Sequence, residues 1–562
     1  MNGLDRPSPA ELAKASAQVS WQVLPGWREL LLGPHGLRLA EWLTSGRAQI
    51  VKHGLRRTVY RVDLPERSVF LKHYRCPDLA DAGRHLLRGS ASRREYRKAI
   101  ELARRQVPTI RPVAVGELHR SGLVADNFLI TEAIPNAQSL HAYAGDTLPG
   151  LPPDQQHRLR RKLARALARL CAAAHEAGVF HDDFHGGNVL VRLDTCHGQA
   201  GDPRLPELYL VDLPGIRFSG PLNWRRSRQS LTMLSSDWGD KVSRSQRWLF
   251  WCTYLAERSG QLVRDRRAGA RHLARLTRDY ACRLMRGRAK RALRTNRDFY
   301  CLHTLAGRGH AVAQVAPPDL VRLLEDPERP LREASHALAP RPQAGATVKT
   351  ELPVSGQPMP VVYECWRQRA WWYALVRPLG RSRALEAWHH GHALLERGIG
   401  TPRPLAACLS RASARQSRAF LVSEWVDGAC TLAQLLEHVE QPGGQLAPAH
   451  ARRLARALGG LLGRLHAWRI MLDGLSPADL LVVGQAEATE VWVLNTLAVR
   501  FVRKLSPAEQ LRQLAQLLHD LGGRTCVTRS QCRRFLQEYR RELGESRSQE
   551  RLWWKRIGNA EV

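Results

Sequence analysis

The sequence predicts an α+β fold built twice in tandem, each copy a small antiparallel β lobe followed by a helical lobe. Three observations carry that reading. Runs of alternating and β-branched apolar residues, "AQIVKHGLRRTVYRVDL" and "SVFLKHYR", precede long stretches of helical period. A chain of 562 residues exceeds what one compact core organises, so at least two domains are expected. The second half also repeats the first. A shift of 292 lays "TIRPVA" (109–114) on "TPRPLA" (401–406) and "FLITEA" (128–133) on "FLVSEW" (420–425). A shift of 291 lays His175 on His466. Several matches in order at nearly constant offset mark a duplicated domain of roughly 250 residues.

Residues 1–44 read as a lead-in carrying Trp21, Trp27 and Trp42. The two quoted strand runs then form an antiparallel pair, and "ASRREYRKAIELARRQ" (91–106) is a helix with a strongly basic exposed face. "NFLITEAI" is a short strand, and "LRRKLARALARLCAAAHEAG" is a long amphipathic helix ended by Gly178. "VFHDDFHGGNVLV" (179–191) follows, then a polar loop and the strand "LYLVDL". Residues 240–310 look helical and rich in Arg, which closes a first domain over 45–312. The Pro-rich stretch 313–345 reads as a linker, and 346–562 as the second domain.

With 44% hydrophobic residues the chain belongs to the folded globular class, but its charge is unusual. Eighty-six Lys plus Arg against 52 Asp plus Glu give +34. Such a surface attracts nucleic acid, anionic membrane or phosphorylated sugars, although a GC-rich genome also enriches Arg, and composition leaves that choice open. No nucleic-acid recognition motif is present, so no specific nucleic-acid partner is expected. No apolar run approaches the ~20 residues of a membrane span, and the N-terminus lacks a secretory pattern. Eleven Cys without a CxxC pair read as reduced thiols, which points to the cytoplasm, with contact at the inner membrane face left open. "CWRQRAWWYALVRPLGR" and "RLWWKRIGNAEV" read either as interfacial anchors or as aromatic core packing.

The stretch 179–191 places His181, Asp182, Asp183, His185 and Asn188 between two apolar ends. Taken alone it fits a turn closed by Asx hydrogen bonds, or a mononuclear metal site of His181, Asp183 and His185. The wider order is more specific: Lys72 on a strand, Glu95 on the next helix, His-x-Asp-x4-Asn, then a strand ending at Asp212. That order resembles the protein-kinase-like fold. The resemblance implies that Lys72 holds the α- and β-phosphates of ATP and Glu95 fixes Lys72. It implies Asp183 as the base that receives the acceptor's proton, His181 as its brace, and Asn188 with Asp212 as ligands of Mg2+. Gly54 offers a flexible turn ahead of Lys72, with Arg56 and Arg57 as phosphate contacts, because no GxGxxG loop is present. "DLP" stands in place of "DFG" and there is no APE element, which argues against a regulated protein kinase.

Within that fold, "KHGLRRTVYRV", "VFLKHYR", "SRREYRKAIEL", "HDDFHGGNVLV" and "LYLVDLPGIRF" are most similar to the bacterial lipopolysaccharide core kinases of heptose and Kdo. The similarity runs over about residues 45–300, with "RRSRQSLTMLSSDWGDKVSRSQRWLFWCTYL" resembling that family's helical tail. It implies a cytoplasmic, ATP- and Mg2+-dependent enzyme that phosphorylates a sugar hydroxyl on a lipid-anchored glycan, with peripheral contact to the anionic inner membrane. Two other readings remain: a phosphotransferase for a small soluble alcohol such as an aminoglycoside or choline, and a scaffold without catalysis. In the second copy Glu364 aligns with Lys72, Gly474 with Asp183, Asp479 with Asn188 and Asn495 with Asp212. Glu386 falls one residue out of register with Glu95. A carboxylate in the lysine's place repels phosphate and glycine accepts no proton, so the second copy reads as a degenerate kinase-like domain. Oligomeric state is not legible.

Overall fold

The computed structural model describes residues 19–54, 56–76, 89–120, 123–193, 205–238, 242–260, 263–334, 336–338, 345–369, 382–413, 416–484, 488–522 and 527–544. The chain divides into two compact units, Met1–Tyr280 and Ala281–Val562. Most of the "CWRQRAWWYALVRPLGR" stretch and all of "RLWWKRIGNAEV" lie outside the described residues.

In the first unit β1 (Val19–Val23), α1 (Arg28–Leu31), α2 (Leu39–Thr44), β2 (Ala48–Lys52), β3 (Arg57–Asp63) and β4 (Ser68–Arg75) come first. They are followed by α3 (Ala91–Arg104), β5 (Pro112–Arg120) and β6 (Leu123–Glu132). The six strands form one antiparallel sheet ordered β1-β5-β6-β4-β3-β2. Strand alternation gives β4 two faces. Val69 and Leu71 enter a core with Trp27, Leu31, Leu39 and Trp42, while Lys72 and Tyr74 point the other way. Residues 19–44 are therefore part of the domain rather than a lead-in, since their apolar side chains cover one face of this sheet. α3 starts where the Ser90 hydroxyl accepts from Arg93 N–H at 3.2 Å, and it buries Glu95, Tyr96, Ala99 and Leu102.

The helical lobe opens with α4 (Pro153–Glu176), which buries Leu159, Leu163, Leu167 and Leu170. Gly178 ends it with φ +72°, and a Cβ there would lie 2.0 Å from Ser219 O, so only glycine fits. Next come β7 (Val179–His181), β8 (Val189–Arg192), β9 (Leu208–Leu210), β10 (Ile216–Phe218), α5 (Trp224–Trp238) and α6 (Arg244–Glu257). β7 pairs with β10 and β8 with β9, both antiparallel. Beneath them His175, 1% exposed, bridges Tyr254 Oη and Ser230 Oγ, each at 2.9 Å. Burial holds its pKa down to about 3, so the ring is neutral.

The second unit repeats the plan. Its sheet includes β11 (Phe299–Thr304), β12 (Gly307–Val312), β13 (Ala346–Val354), β14 (Gln357–Arg369), β15 (Pro404–Ser413) and β16 (Gln416–Glu424), ordered β11-β12-β15-β16-β14-β13. Two expectations fail here. Residues 299–312 are a hairpin hydrogen-bonded into this sheet, not helix. The stretch expected as a linker contains α7 (Pro317–Glu325), whose Leu320 and Leu324 are fully buried. Prolines at its first turn start that helix rather than break it, and its apolar side packs into the core under the second sheet.

α8 (Arg383–Leu395), α9 (Pro448–Ala467), β17 (Ile470–Leu472), β18 (Leu480–Val483), β19 (Glu490–Val493), β20 (Val499–Phe501), α10 (Pro507–Gly522) and α11 (Arg529–Leu543) follow. Here His466 bridges Tyr539 Oη and Gln513 Oε1, both at 2.7 Å. Burial again lowers its pKa, to about 4. The same buried histidine bridge thus supports both helical lobes.

Candidate active site

Lys72 and Glu95 meet between sheet and helix. Lys72 Nζ donates to Glu95 Oε1 at 2.5 Å, with the carboxylate side chain fully buried and the lysine 13% exposed. The second oxygen, Oε2, accepts from Tyr74 Oη at 2.6 Å. Tyr74 lies two residues beyond Lys72 on β4 and therefore on the same face. Burial, then the Glu95 charge, push its phenol pKa up, so it stays a donor. The Arg57 guanidinium lies 6.0 Å from the Tyr74 ring centre and 3.8 Å from Asp212 Oδ1.

The polar loop is organised by His181. Its Nδ1 accepts from Asp183 N–H at 3.1 Å, and its Nε2 contacts Val211 O at 3.3 Å. The ring is buried, which lowers its pKa and keeps it neutral. It thereby ties Asp183 itself to Val211, the residue before Asp212. Asn188 Nδ2 donates to Asp183 O at 2.8 Å, and Asn188 O accepts from Val211 N–H at 3.0 Å. The sequence-predicted set of Asp183, Asn188 and Asp212 is brought together by these four contacts.

Asp183 itself stands free of strong partners among the described contacts: its side chain is 76% exposed, with His185 Nε2 3.6 Å away. Asp212 is left-handed at φ 58°, a conformation Asp tolerates better than most residues, and its carboxylate is 46% exposed. The turn after it, Leu213–Gly215, is anchored by the fully buried Leu213, which stands where the resemblance expects Phe. Lys98 Nζ on α3 donates to Pro214 O at 2.5 Å, joining that helix to the turn.

A half-exposed carboxylate with an amide beside it suits Mg2+ better than a soft transition metal. The mononuclear alternative fails on geometry, because the His181 nitrogens are engaged by Asp183 N–H and Val211 O. Among the described residues no group of three His, Cys, Asp or Glu side chains is arranged to hold a metal ion.

Gly54 lies in the β2–β3 connection outside the left-handed region. A Cβ there would make only ordinary contact with Arg57 O at 3.5 Å, so glycine is not required. Arg57 stands beside Asp212 rather than apart on the loop. Sequence reasoning missed Tyr74, whose two-residue spacing from Lys72 was the available signal. It also missed Asp237, whose carboxylate accepts from Gly186 N–H at 2.9 Å across 51 residues, a separation that leaves no local signal.

The equivalent place in the second unit is differently built. Glu364 pairs with Leu421 across β14 and β16 as Lys72 does with Leu129 across β4 and β6. Ser382 caps α8 as Ser90 caps α3, which puts buried Ala387, not Glu386, at the Glu95 position. Asp479 is 4% exposed and saturated: Oδ2 accepts from Ser476 N–H and Oγ, both at 2.9 Å, and Oδ1 from Asn495 Nδ2 at 2.8 Å.

A family model described as the lipopolysaccharide kinase (Kdo/WaaP) family matches residues 43–227 and again 368–539, together more than half of the chain. A lipopolysaccharide core heptose(I) kinase, WaaP, of Pseudomonas aeruginosa is 28% identical over 217 residues, covering 37% of this chain and 77% of the relative. The Escherichia coli protein of the same name is 27% identical over 207 residues, covering 36% and 75%. A solved structure titled "WaaP in complex with acyl carrier protein" covers 47% of this chain and 99% of its own, at 20% identity and TM-score 0.34.

Proposed function

The chain belongs to the lipopolysaccharide kinase (Kdo/WaaP) family, and from that premise we propose that its first unit transfers the γ-phosphoryl group of ATP to a sugar hydroxyl of lipopolysaccharide core. Heptose is the acceptor to test first and Kdo the second, because both named relatives are heptose(I) kinases. The observation that carries the reading is the buried Lys72–Glu95 pair beside the loop that gathers Asp183, Asn188 and Asp212.

Phosphoryl transfer asks a protein mainly for charge and position. Lys72, aimed by Glu95, neutralises the α- and β-phosphates. Arg57 adds a second cation at the mouth of the nucleotide site. Asn188 and Asp212 would hold Mg2+, which when bound neutralises the β- and γ-phosphate oxygens. Asp183, exposed and acceptor-only, receives the proton of the attacking sugar hydroxyl as its oxygen bonds to the γ-phosphorus and ADP leaves. His181 keeps Asp183 in place and stays outside the proton path.

The second unit, in this reading, keeps the architecture without the chemistry. Its lysine position is Glu364, its base position is Gly474, and Asp479 is closed by Ser476 and Asn495. The acceptor is anchored in the inner membrane, so we place the protein in the cytoplasm with peripheral contact to anionic lipid. The +34 charge supports that placement. Among the described residues no helix is long and apolar enough to cross a membrane.

The test is transfer from labelled ATP with Mg2+ to lipopolysaccharide core stripped of its phosphates. Label in the core with wild type, and none with Asp183→Asn, is the expected result. Label entering only a small alcohol, or none entering any acceptor, would overturn it.

A further inference from the structure

We propose that Tyr74 is a positioning residue of the nucleotide site: its hydroxyl holds Glu95 Oε2 and so leaves Oε1 as the one fixed acceptor for Lys72. The inference rests on the kinase reading of the first unit and adds a third member to the pair that the family pattern supplies.

A carboxylate alone is a poor aiming device for an ammonium, since either oxygen serves and the group rotates. Here the rotation is removed. Lys72 Nζ and Tyr74 Oη donate to different oxygens of one buried carboxylate, at 2.5 and 2.6 Å. The tyrosine also faces outward along the site. Arg57 lies over its ring at 6.0 Å and reaches Asp212 Oδ1 at 3.8 Å. Contacts therefore run without a break from Lys72 through Glu95, Tyr74 and Arg57 to Asp212.

The second unit separates function from folding at these positions. A purely structural tyrosine would be kept where the architecture is kept, as the buried histidine bridge is: His175 with Tyr254 returns as His466 with Tyr539. Tyr74 does not return. Strand register puts Trp366 in its place, Gly345 in that of Arg57 and Glu364 in that of Lys72. Ala387 replaces Glu95 and Asn495 replaces Asp212. All five members of the contact path change together, while the fold around them persists. Tyr74 therefore sorts with the site and not with the core.

The experiment compares full-length wild type, Tyr74→Phe and Tyr74→Leu for equilibrium binding of ATP with Mg2+, and separately of adenosine, without acceptor. The phosphates contact Lys72 and adenosine does not, so a positioning role moves only the first. Tyr74→Phe keeps the ring beneath Arg57 and should weaken ATP on the order of tenfold, the usual effect of losing a hydrogen bond to a charged group. Tyr74→Leu should weaken ATP further, with adenosine unchanged in both and the melting temperature of Tyr74→Phe close to wild type. Equal losses for ATP and adenosine, or no loss for either, would assign Tyr74 to packing and overturn the proposal. Failure of the wild type to bind ATP would remove the kinase reading and this role together. Binding that Tyr74→Phe leaves untouched removes only the role.

Discussion

The two units share a fold and differ at the cleft where the first gathers its charged side chains. In the first, polar groups at the cleft are left reaching outward: Asp183 is 76% exposed and Asp212 46%. In the second, Gly474 stands at the position of Asp183, and Asn495, at the position of Asp212, donates to Asp479, which stands at that of the buried Asn188 and accepts three hydrogen bonds at 4% exposure. If the second unit is relieved of chemistry, as proposed, its buried polar groups should pair internally, because an unmet carboxylate in the interior is costly. A working site keeps that capacity for its ligand. The difference between the copies is thus one of unspent hydrogen-bonding capacity, and each prediction below is a way to break or sharpen it.

The largest effect belongs to Asp183. Asp183→Asn should lower kcat by about 10²–10⁴, the range of a lost general base, with ATP affinity largely kept. Turnover against ATP concentration separates the two parameters. Lys72→Ala should come next, raising the KM for ATP and leaving the buried Glu95 without its ion pair. Because breaking a buried pair by removing one partner costs roughly 3–5 kcal/mol, a lower melting temperature should accompany the kinetic loss.

Asp479→Asn in the second unit should do the reverse. Phosphate transfer is expected to stay at the wild-type rate. Stability should fall by about 1–3 kcal/mol in urea unfolding, as hydrogen bonds to a buried carboxylate are lost. Lost transfer at retained stability would contradict a silent second copy.

The last effect is one both units share. His175 and His466 are held neutral, near 3 and 4, whereas an exposed histidine titrates near 6.5. The unfolded chain therefore binds protons that the folded chain refuses. Stability should be full above about pH 6.5 and decline below it, by up to about 1.4 kcal/mol per pH unit for each histidine. Denaturant midpoints from pH 7.5 to 5 should show that slope, and His175→Gln or His466→Gln should each flatten it by a similar amount. A slope unchanged by either variant would mean that other groups carry the acid sensitivity.

Much of this contrast was legible in the sequence because the duplication supplied an internal control. The order Lys72, Glu95, Asp183, Asn188, Asp212 was legible through its resemblance to the protein-kinase-like fold, and the strand register of Glu364 matches that of Lys72. Boundaries were less legible. Residues 19–44 show no regular period and 313–345 are crowded with prolines, so they read as lead-in and linker, yet Trp27, Trp42, Leu320 and Leu324 are buried against the sheets. Their partners lie far along the chain, and no local period announces them. The hairpin 299–312 was hidden by the Arg-rich helix before it, and prolines at the start of α7 imitated a linker. Tyr74 and Asp237 escaped for another reason. Asp237 acts through contacts with Gly186 and His141, both distant in sequence, which neither composition nor periodicity records, whereas the only signal for Tyr74 was its spacing from Lys72.

The central claim, that the nucleotide site exists in the first unit alone, is tested most directly by the stoichiometry of ATP binding with Mg2+ to the full chain. The account predicts one nucleotide per chain, lost in Lys72→Ala and unchanged in Asp479→Asn. Two nucleotides per chain, or one that survives Lys72→Ala and disappears in Asp479→Asn, would contradict it.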